Sequence, residues 1–339
     1  MKATRFHGVG KPLTIEEVPV PEVGPMGVLI KVAGAGVCHS DLHVIDGEVD
    51  VQQQPITLGH ENAGIVEAVG SQVTDVEVGD GVAVFGAWGC GSCESCEAGE
   101  ESLCFQPVFP GIMVDGGWAE KLYVPHSRNL VKLNGLDPIV AAPLTDAALT
   151  PYRAVKKVAS KLTPGRSLAI IGIGGLGHMA LQIAKAIVPA ARLIAIDVSD
   201  DKLEMAKELG ADVVINGSGD DVGEQVKAAT NGAGADAIID FVGADATMKN
   251  AAASIAVAGK IVVVGIAGGT LPFTFWNIPL ECEVTTSIWG NRQELKEVLE
   301  LARLGHITPH IEVQPLEAIN EVVARLHAGE IKGRVVLTP

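Results

Sequence analysis

The spacing of apolar and polar positions changes character near the middle of the chain. Over roughly the first 145 residues, short apolar, β-branched runs recur: Val28–Val32, Ala63–Val69, Gly81–Phe85 and Lys121–Val124. Turn signals such as Val78-Gly79-Asp80 separate them. This pattern predicts a β-rich domain of twisted, partly closed sheet. After Pro164-Gly165, strand-like and helical segments alternate. The expected strands are Leu168–Gly172, Leu193–Asp197, Val213–Asn216, Ala237–Val242 and Ile261–Gly265. The expected helices are Leu176–Ile187, Lys202–Leu209, Val222–Thr230 and Thr247–Val257. Such alternation predicts a doubly wound parallel sheet. The near-continuous apolar run Ile261–Val264 suits a strand covered on both faces. The last fifty or so residues predict helices Gln293–Leu304 and Leu316–His327 and a closing strand, Arg334–Leu337. No internal repeat or low-complexity linker interrupts the pattern.

Composition narrows the class. A length of 339 residues suits two domains, and 40 glycines with few aromatics suit an α/β protein rich in tight turns. A net charge of −16 repels phosphate backbones and anionic lipid, so nucleic-acid and membrane partners are not expected. The N-terminal MKATRFHGVG has no signal-peptide core, and no stretch of 18 apolar residues predicts a membrane span. A reducing, cytoplasmic setting is therefore expected. There the six cysteines read as metal ligands or core residues before disulfides.

Three groups of residues carry candidate chemistry. Gly172-Ile173-Gly174-Gly175-Leu176-Gly177 is a GxGxxG run between a predicted strand and helix. Gly172 permits the tight turn, Gly174 lets backbone approach a pyrophosphate, and Gly177 lets helix and strand pack closely. Asp197 ends the next strand, where an acid accepts from ribose hydroxyls and repels a 2′-phosphate, so NAD is expected over NADP. In the insert Trp88–Cys104, Cys90, Cys93, Cys96 and Cys104 read C-x2-C-x2-C-x7-C. This spacing fits a closed four-thiolate, structural zinc site better than an iron–sulfur cluster. Cys38 and His60 lie in polar surroundings and offer two of the three protein ligands of a catalytic zinc. The residues do not single out the third. Asp146, an acid amid apolar neighbours, is one candidate, and a helix N-cap is its alternative reading.

The run Gly59-His60-Glu61-x2-Gly64-x5-Gly70-x2-Val73, with Cys38-His39-Ser40-Asp41, the four-Cys insert and the GxGxxG unit in the same order, resembles the zinc-containing alcohol dehydrogenases of the medium-chain dehydrogenase/reductase superfamily. Their microbial NAD-dependent secondary-alcohol dehydrogenases share the most texture with it. The resemblance implies an α/β fold: a GroES-like catalytic domain over 1–149 with a zinc lobe at 88–106, a Rossmann NAD-binding domain over 150–287, and a return to the catalytic domain over 288–339. It makes Cys38, His60 and Asp146 the catalytic zinc ligands, with Asp146 standing where many relatives carry Cys. Glu61 matches a residue able to approach the metal, and Asp41 one that orients His60. Ser40 and His43 match a proton relay. His39 and Arg334 match pyrophosphate contacts, Lys202 an adenosine-ribose contact, and Thr150 and Leu176 residues on the nicotinamide. Gly172, Gly174, Gly175, Gly177, Asp197, Gly265 and Ile266 complete the implied cofactor set. Two zinc ions per chain, NAD, a small alcohol or ketone substrate and a homotetramer are further implications. Trp118 and Trp289 are candidate walls of an apolar pocket or ordinary core aromatics. Cys282 reads as a buried thiol. A polyol or sugar dehydrogenase is the alternative within the superfamily. A non-catalytic zinc-binding module is the alternative from another class.

Overall fold

The N-terminal β-type runs assemble into a seven-stranded sheet in the computed structural model, which describes residues 1–271 and 273–339. Contacts divide the chain into two units. The first is Met1–Leu149 with Gly290–Arg303 and Pro309–Pro339; the second is Thr150–Trp289 with Leu304–Thr308. In chain order the first unit supplies β1 (Lys2–Arg5), β2 (Thr14–Glu17), β3 (Val28–Val37), α1 (His39–Ile45), β4 (Glu61–Val69), β5 (Gly81–Val84), α2 (Glu94–Glu97), β6 (Lys121–Val124), β7 (Leu130–Lys132) and α3 (Pro138–Ala141). The chain enters the second unit along α4 (Leu149–Val158). There follow β8 (Ser167–Ile171), α5 (Gly177–Ile187), β9 (Arg192–Asp197), α6 (Asp200–Glu208), β10 (Val213–Asn216), α7 (Val222–Ala229), β11 (Ala235–Asp240), α8 (Asp245–Ser254), β12 (Ile255–Val263) and β13 (Glu283–Thr286). It closes with α9 (Arg292–Arg303), β14 (Ile311–Pro315), α10 (Ile319–His327) and β15 (Arg334–Thr338).

The first unit's sheet has the order β14-β15-β3-β4-β5-β7, with β6 also paired to β3. Its pairings are antiparallel except β14 with β15. The long strand β3 anchors it. Val28, Ile30, Val32, Ala35 and Val37 are buried in a core shared with Leu58, Val82, Trp118 and Val335. At the far end of β3, Gly36 lies opposite Glu61 in register. A Cβ on Gly36 would stand 1.9 Å from Glu61 Oε2, so only glycine lets that carboxylate lie across the strand.

The second unit is a six-stranded parallel sheet ordered β10-β9-β8-β11-β12-β13, the 3-2-1-4-5-6 order of a dinucleotide-binding fold. Its central strands are buried on both faces; Ser167–Ile171 is buried throughout. The switch point lies between β8 and β11, where ligands of such sheets bind. One expectation needs correction. The helix expected over Thr247–Val257 ends at Ser254, and β12 begins at Ile255. The run Ala251-Ala252-Ala253-Ser254-Ile255-Ala256-Val257 keeps helical composition, but pairing of Ala235 with Ile255 takes the chain into the sheet.

At the outer edge of the first sheet, Arg325 on α10 grips Glu312 on β14 through two N–H groups at 2.7 and 2.8 Å. Arg325 and Gln314 hold the Glu312 carboxyl down to about 2, against its ordinary 4.5. A depressed carboxylate stabilises the fold above its unfolded pKa and loses that contribution as pH falls toward the folded value. The stability gap between the parent and Glu312→Gln should therefore be open at pH 7. It should narrow as pH drops below about 4.5 in denaturant titrations. Solvent screening of this half-exposed pair keeps the gap to about 1 kcal/mol or less. A gap independent of pH would show that the ion pair contributes nothing.

Candidate functional site

Residues from four separated stretches converge in the first unit. Cys38 follows β3 and precedes α1, and its backbone N–H donates to Asp41 Oδ2 at 2.8 Å. The other oxygen of Asp41 lies 3.2 Å from His60 Nδ1. One carboxylate thus fixes the start of α1 and the plane of the imidazole. His60 follows Gly59, whose φ of +94° sets up the turn into β4. Asp146 ends a short 3₁₀ turn, Pro143–Thr145, closed by the Thr145 hydroxyl on Ala142 O. Donor atoms of Cys38, His60, Glu61 and Asp146 all lie within 4.8 Å of one another, and all four residues are buried.

These spacings fit a metal ion. Tetrahedral zinc, with bonds of about 2.3 Å to sulfur and 2.0 Å to nitrogen or oxygen, sets neighbouring ligand atoms about 3.3–3.8 Å apart. Asp146 Oδ2 is 3.7 Å from Cys38 Sγ and 3.6 Å from His60 Nε2. The charges agree. Arg334 pairs with Glu61 at 2.9 Å and stands 3.9 Å from Asp146. Burial opposes a Cys38 thiolate, yet Arg334 and His60 bring its pKa below the ordinary thiol value. Burial pushes Glu61 well above the usual carboxylate range, with Arg334 pulling the other way. Burial disfavours a charged His60, but Asp41, Asp146 and Cys38 raise its pKa well above the usual imidazole value. So acidic a buried cluster draws in a cation.

The four-Cys insert is a second such centre. Cys90 Sγ lies 4.0 Å from Cys96 Sγ, and Cys93 Sγ 3.8 Å from Cys104 Sγ. Four sulfurs around zinc stand about 3.8 Å apart. Backbone and hydroxyl donors of Ser92 bring Cys90 down to about 6, whereas burial and the neighbouring sulfurs push Cys96 up to about 12. Four thiolates therefore cannot coexist here without a cation. Backbone N–H groups of Cys90 and Gln106 donate to Cys104 Sγ at 3.3 Å each. Side chains outside the lobe clasp it. Arg292 binds Glu101 and the carbonyl of Arg128, Arg128 Nη2 donates to Gly89 O, and Asn291 donates to Glu100.

In the second unit the loop after β8 fits a dinucleotide. Gly172 takes φ +87°, and a Cβ on Gly177 would sit 1.9 Å from Gly172 O. A Cβ on Gly174 would meet nothing within 4 Å, leaving open space at the backbone where a pyrophosphate would approach. Asp197 Oδ2 accepts from Ile173 N at 2.7 Å and Oδ1 from Ser199 N at 3.0 Å. The carboxylate is pinned, with a lone pair on each oxygen still to offer. Beside it, Asp240 Oδ1 accepts from Val242 N and Gly243 N and holds the turn that packs on Gly172.

Sequence reading and structure part at several residues. Trp118 is fully buried in the core of the first unit and donates from Nε1 to Gly36 O at 3.1 Å. Trp289 is buried and holds φ +44°, rare for a bulky residue. Arg334 lies with Glu61 inside the metal cluster, a position its sequence neighbours do not reveal. His39 and Ile266 are exposed, Thr150 is buried, and Gly175, Leu176, Lys202 and Gly265 are half-buried. Cys282 is half-buried rather than core. Sequence reading missed Glu48, which meets His43, and Glu101 with Arg292; no local spacing marks either pair.

Comparisons with known proteins agree with this geometry. A family model described as alcohol dehydrogenase GroES-like domain matches residues 24–135, and one described as zinc-binding dehydrogenase matches 175–303. The chain is 41% identical to an NAD-dependent alcohol dehydrogenase of Sulfurisphaera tokodaii, covering 100% of both. It is 36% identical to a D-arabinose 1-dehydrogenase (NADP(+)) of Saccharolobus solfataricus, covering 100% of the chain and 97% of the relative. Its fold matches the crystal structure of the alcohol dehydrogenase from Aeropyrum pernix with a TM-score of 0.93, at 40% identity and 100% coverage of both chains. With two clusters of metal-ligating side chains, a dinucleotide loop and relatives matched end to end, the chain belongs to the zinc-containing alcohol dehydrogenases of the medium-chain dehydrogenase/reductase superfamily.

Proposed function

We propose that this protein interconverts small alcohols, secondary ones above all, and their ketones or aldehydes, with NAD as the hydride carrier. The observation that carries the reading is the buried, charge-deficient set of Cys38, His60, Glu61 and Asp146. Zinc bound there supplies Lewis acidity that lowers an alcohol's pKa toward neutrality, and bound nicotinamide supplies the hydride acceptor. Cys38, His60 and Asp146 hold the metal, and Asp41 keeps the His60 ring in place. Glu61, paired with Arg334, stands ready as a fourth donor. Ser40 Oγ, 3.7 Å from Cys38 Sγ, takes the alcohol proton toward His43 on the same face of α1. Asp197 accepts from the adenosine ribose and turns away a 2′-phosphate, and Lys202 assists it. Gly172, Gly174, Gly175 and Gly177 admit the pyrophosphate, with His39 and Arg334 as its side-chain contacts; Arg334 Nε makes no hydrogen bond among the described residues. Thr150, Leu176, Gly265 and Ile266 pack on the cofactor, and Trp289 shapes the substrate pocket.

NADH formation across a panel of primary and secondary alcohols, polyols and aldoses tests the reading. Secondary alcohols should give the highest kcat/KM, and a panel with no turnover would overturn it. A preference for aldoses would favour the second reading, a sugar dehydrogenase, to which the D-arabinose dehydrogenase relative points. Asp197→Ala should raise the KM for NAD about tenfold or more, the loss expected for hydrogen bonds to a charged group, and relax the preference over NADP. An unchanged NAD/NADP ratio would remove Asp197 from ribose recognition.

The proposed setting is the reducing cytoplasm, in keeping with six unpaired cysteines. The proposed assembly is a homotetramer. The edge strand β13 and the exposed Phe273, Phe275 and Trp276 support contact between copies, and a sedimentation mass near four chains would bear on it.

A further inference from the structure

Helix α1 carries Ser40 and His43 three residues apart, on one face. The chain then doubles back over it. Gly47, at φ +81°, allows the reversal, and the backbone N–H groups of Glu48 and Val49 donate to His43 O at 2.8 and 3.0 Å. This fold-back carries the Glu48 side chain to the imidazole, where Oε2 meets His43 Nδ1. The loop's other near carboxylate, Asp46, faces His327 Nε2 on α10 at 3.5 Å. Glu48 is thus the carboxylate paired with His43, as Asp41 is the one paired with His60. The side chain of His43 is 21% exposed and that of Glu48 62%.

An ionised carboxylate only accepts hydrogen bonds. Its contact with Nδ1 therefore places the imidazole hydrogen on that nitrogen and leaves the Nε2 lone pair as the base. We propose that Glu48 is a positioning residue for proton transfer: it sets the His43 tautomer so that Nε2 receives the substrate's proton, and it stabilises the imidazolium that results. This rests on the relay role proposed for His43. When the proton arrives through Ser40, one N–H bond forms at Nε2 as one O–H bond breaks. Glu48 stays ionised throughout. The imidazolium, on a side chain 21% exposed, then gives up a proton to water, so no other reactant is needed. The logic is that of a buried carboxylate behind a catalytic histidine, weakened by solvent.

The test uses the full-length, zinc-loaded enzyme and a secondary alcohol, with Glu48→Ala, Glu48→Gln, His43→Gln and the double variant His43→Gln/Glu48→Ala. Glu48→Ala and Glu48→Gln should each lower kcat/KM about fivefold, the size of a solvent-screened charge interaction. The solvent deuterium isotope effect on kcat/KM should rise in Glu48→Gln, which keeps the side chain's shape and lacks its charge. The double variant should be no slower than His43→Gln. Unchanged rates in the Glu48 variants, an unchanged isotope effect, or losses that multiply in the double variant would overturn the role of Glu48. A His43→Gln enzyme as fast as the parent would instead overturn the relay beneath it. The two failures are thereby distinguished.

Discussion

Cys38→Ser should leave a folded protein that holds about one zinc per chain in place of two and has lost at least ~10³-fold in kcat/KM, since metal polarisation of an oxygen is worth several kcal/mol. The reasoning is electrostatic. At Cys38, Arg334 and His60 outweigh burial and lower the thiol pKa, which favours the anionic ligand. A serine hydroxyl in the same place stays neutral and offers zinc a poor donor. Asp146 and His60 remain, 3.6 Å apart, but two ligands beside an Arg334-paired Glu61 do not retain the ion. The four-Cys lobe is built from other residues and should keep its zinc. Metal analysis with steady-state kinetics checks both halves of the expectation. Two zinc ions per chain with near-parental activity in this variant would remove Cys38 from the catalytic centre.

Cys96→Ser should act on stability. The Cys96 sulfur is buried beside Gly89, where even a Cβ would come within 2.5 Å of it. Its loss opens a four-donor shell that cannot hold zinc with three thiolates as firmly, and several neighbours depend on that shell. Arg292 holds Glu101, Asn291 holds Glu100, and Arg128 holds Gly89. Asn291 also caps α9, exchanging hydrogen bonds with Glu294 at 2.8 and 3.0 Å. Loosening the lobe should therefore reach this helix. Loss of a metal ranks among the most damaging single changes, about 4 kcal/mol or more, and the first thermal transition should fall by roughly 10 °C. Calorimetry together with zinc release to a chromogenic chelator measures the effect. Activity at low temperature should suffer far less than in Cys38→Ser. An unshifted transition would show that the lobe adds nothing to the fold.

What could be read without the structure follows from how local each signal is. The GxGxxG loop, its acid twenty residues on, and the four cysteines within fifteen residues are local patterns, and each lies where its spacing implied. β13 and β14 escaped notice. Glu283–Thr286 and Ile311–Pro315 are short and half or more exposed, so neither shows the apolar run of a buried strand. The alanines before Ile255–Val257 extend a helical pattern into it; pairing with β11 overrides that preference. The third ligand stayed ambiguous because Asp146 meets Cys38 across 108 residues of chain, a closure no periodicity records. The pairing of Arg334 with Glu61 stayed hidden for the same reason. The Glu48 contact spans only five residues, yet it depends on a loop reversal at Gly47 that side-chain pattern does not encode.

The place of β15 in its sheet sets an order of assembly. It lies inside, between β14 and β3, and Val336 faces Gly36 across three hundred residues of chain. During synthesis every strand of the nucleotide-binding unit leaves the ribosome before the metal pocket can be finished. Until then Glu61 has no guanidinium beside it, and Ala35, Gly36 and Val37 of β3 present an open edge to whatever is near. Nascent chains arrested ahead of Arg334 should consequently carry zinc in the four-Cys lobe and none at Cys38. The catalytic ion would be the last component to enter the enzyme.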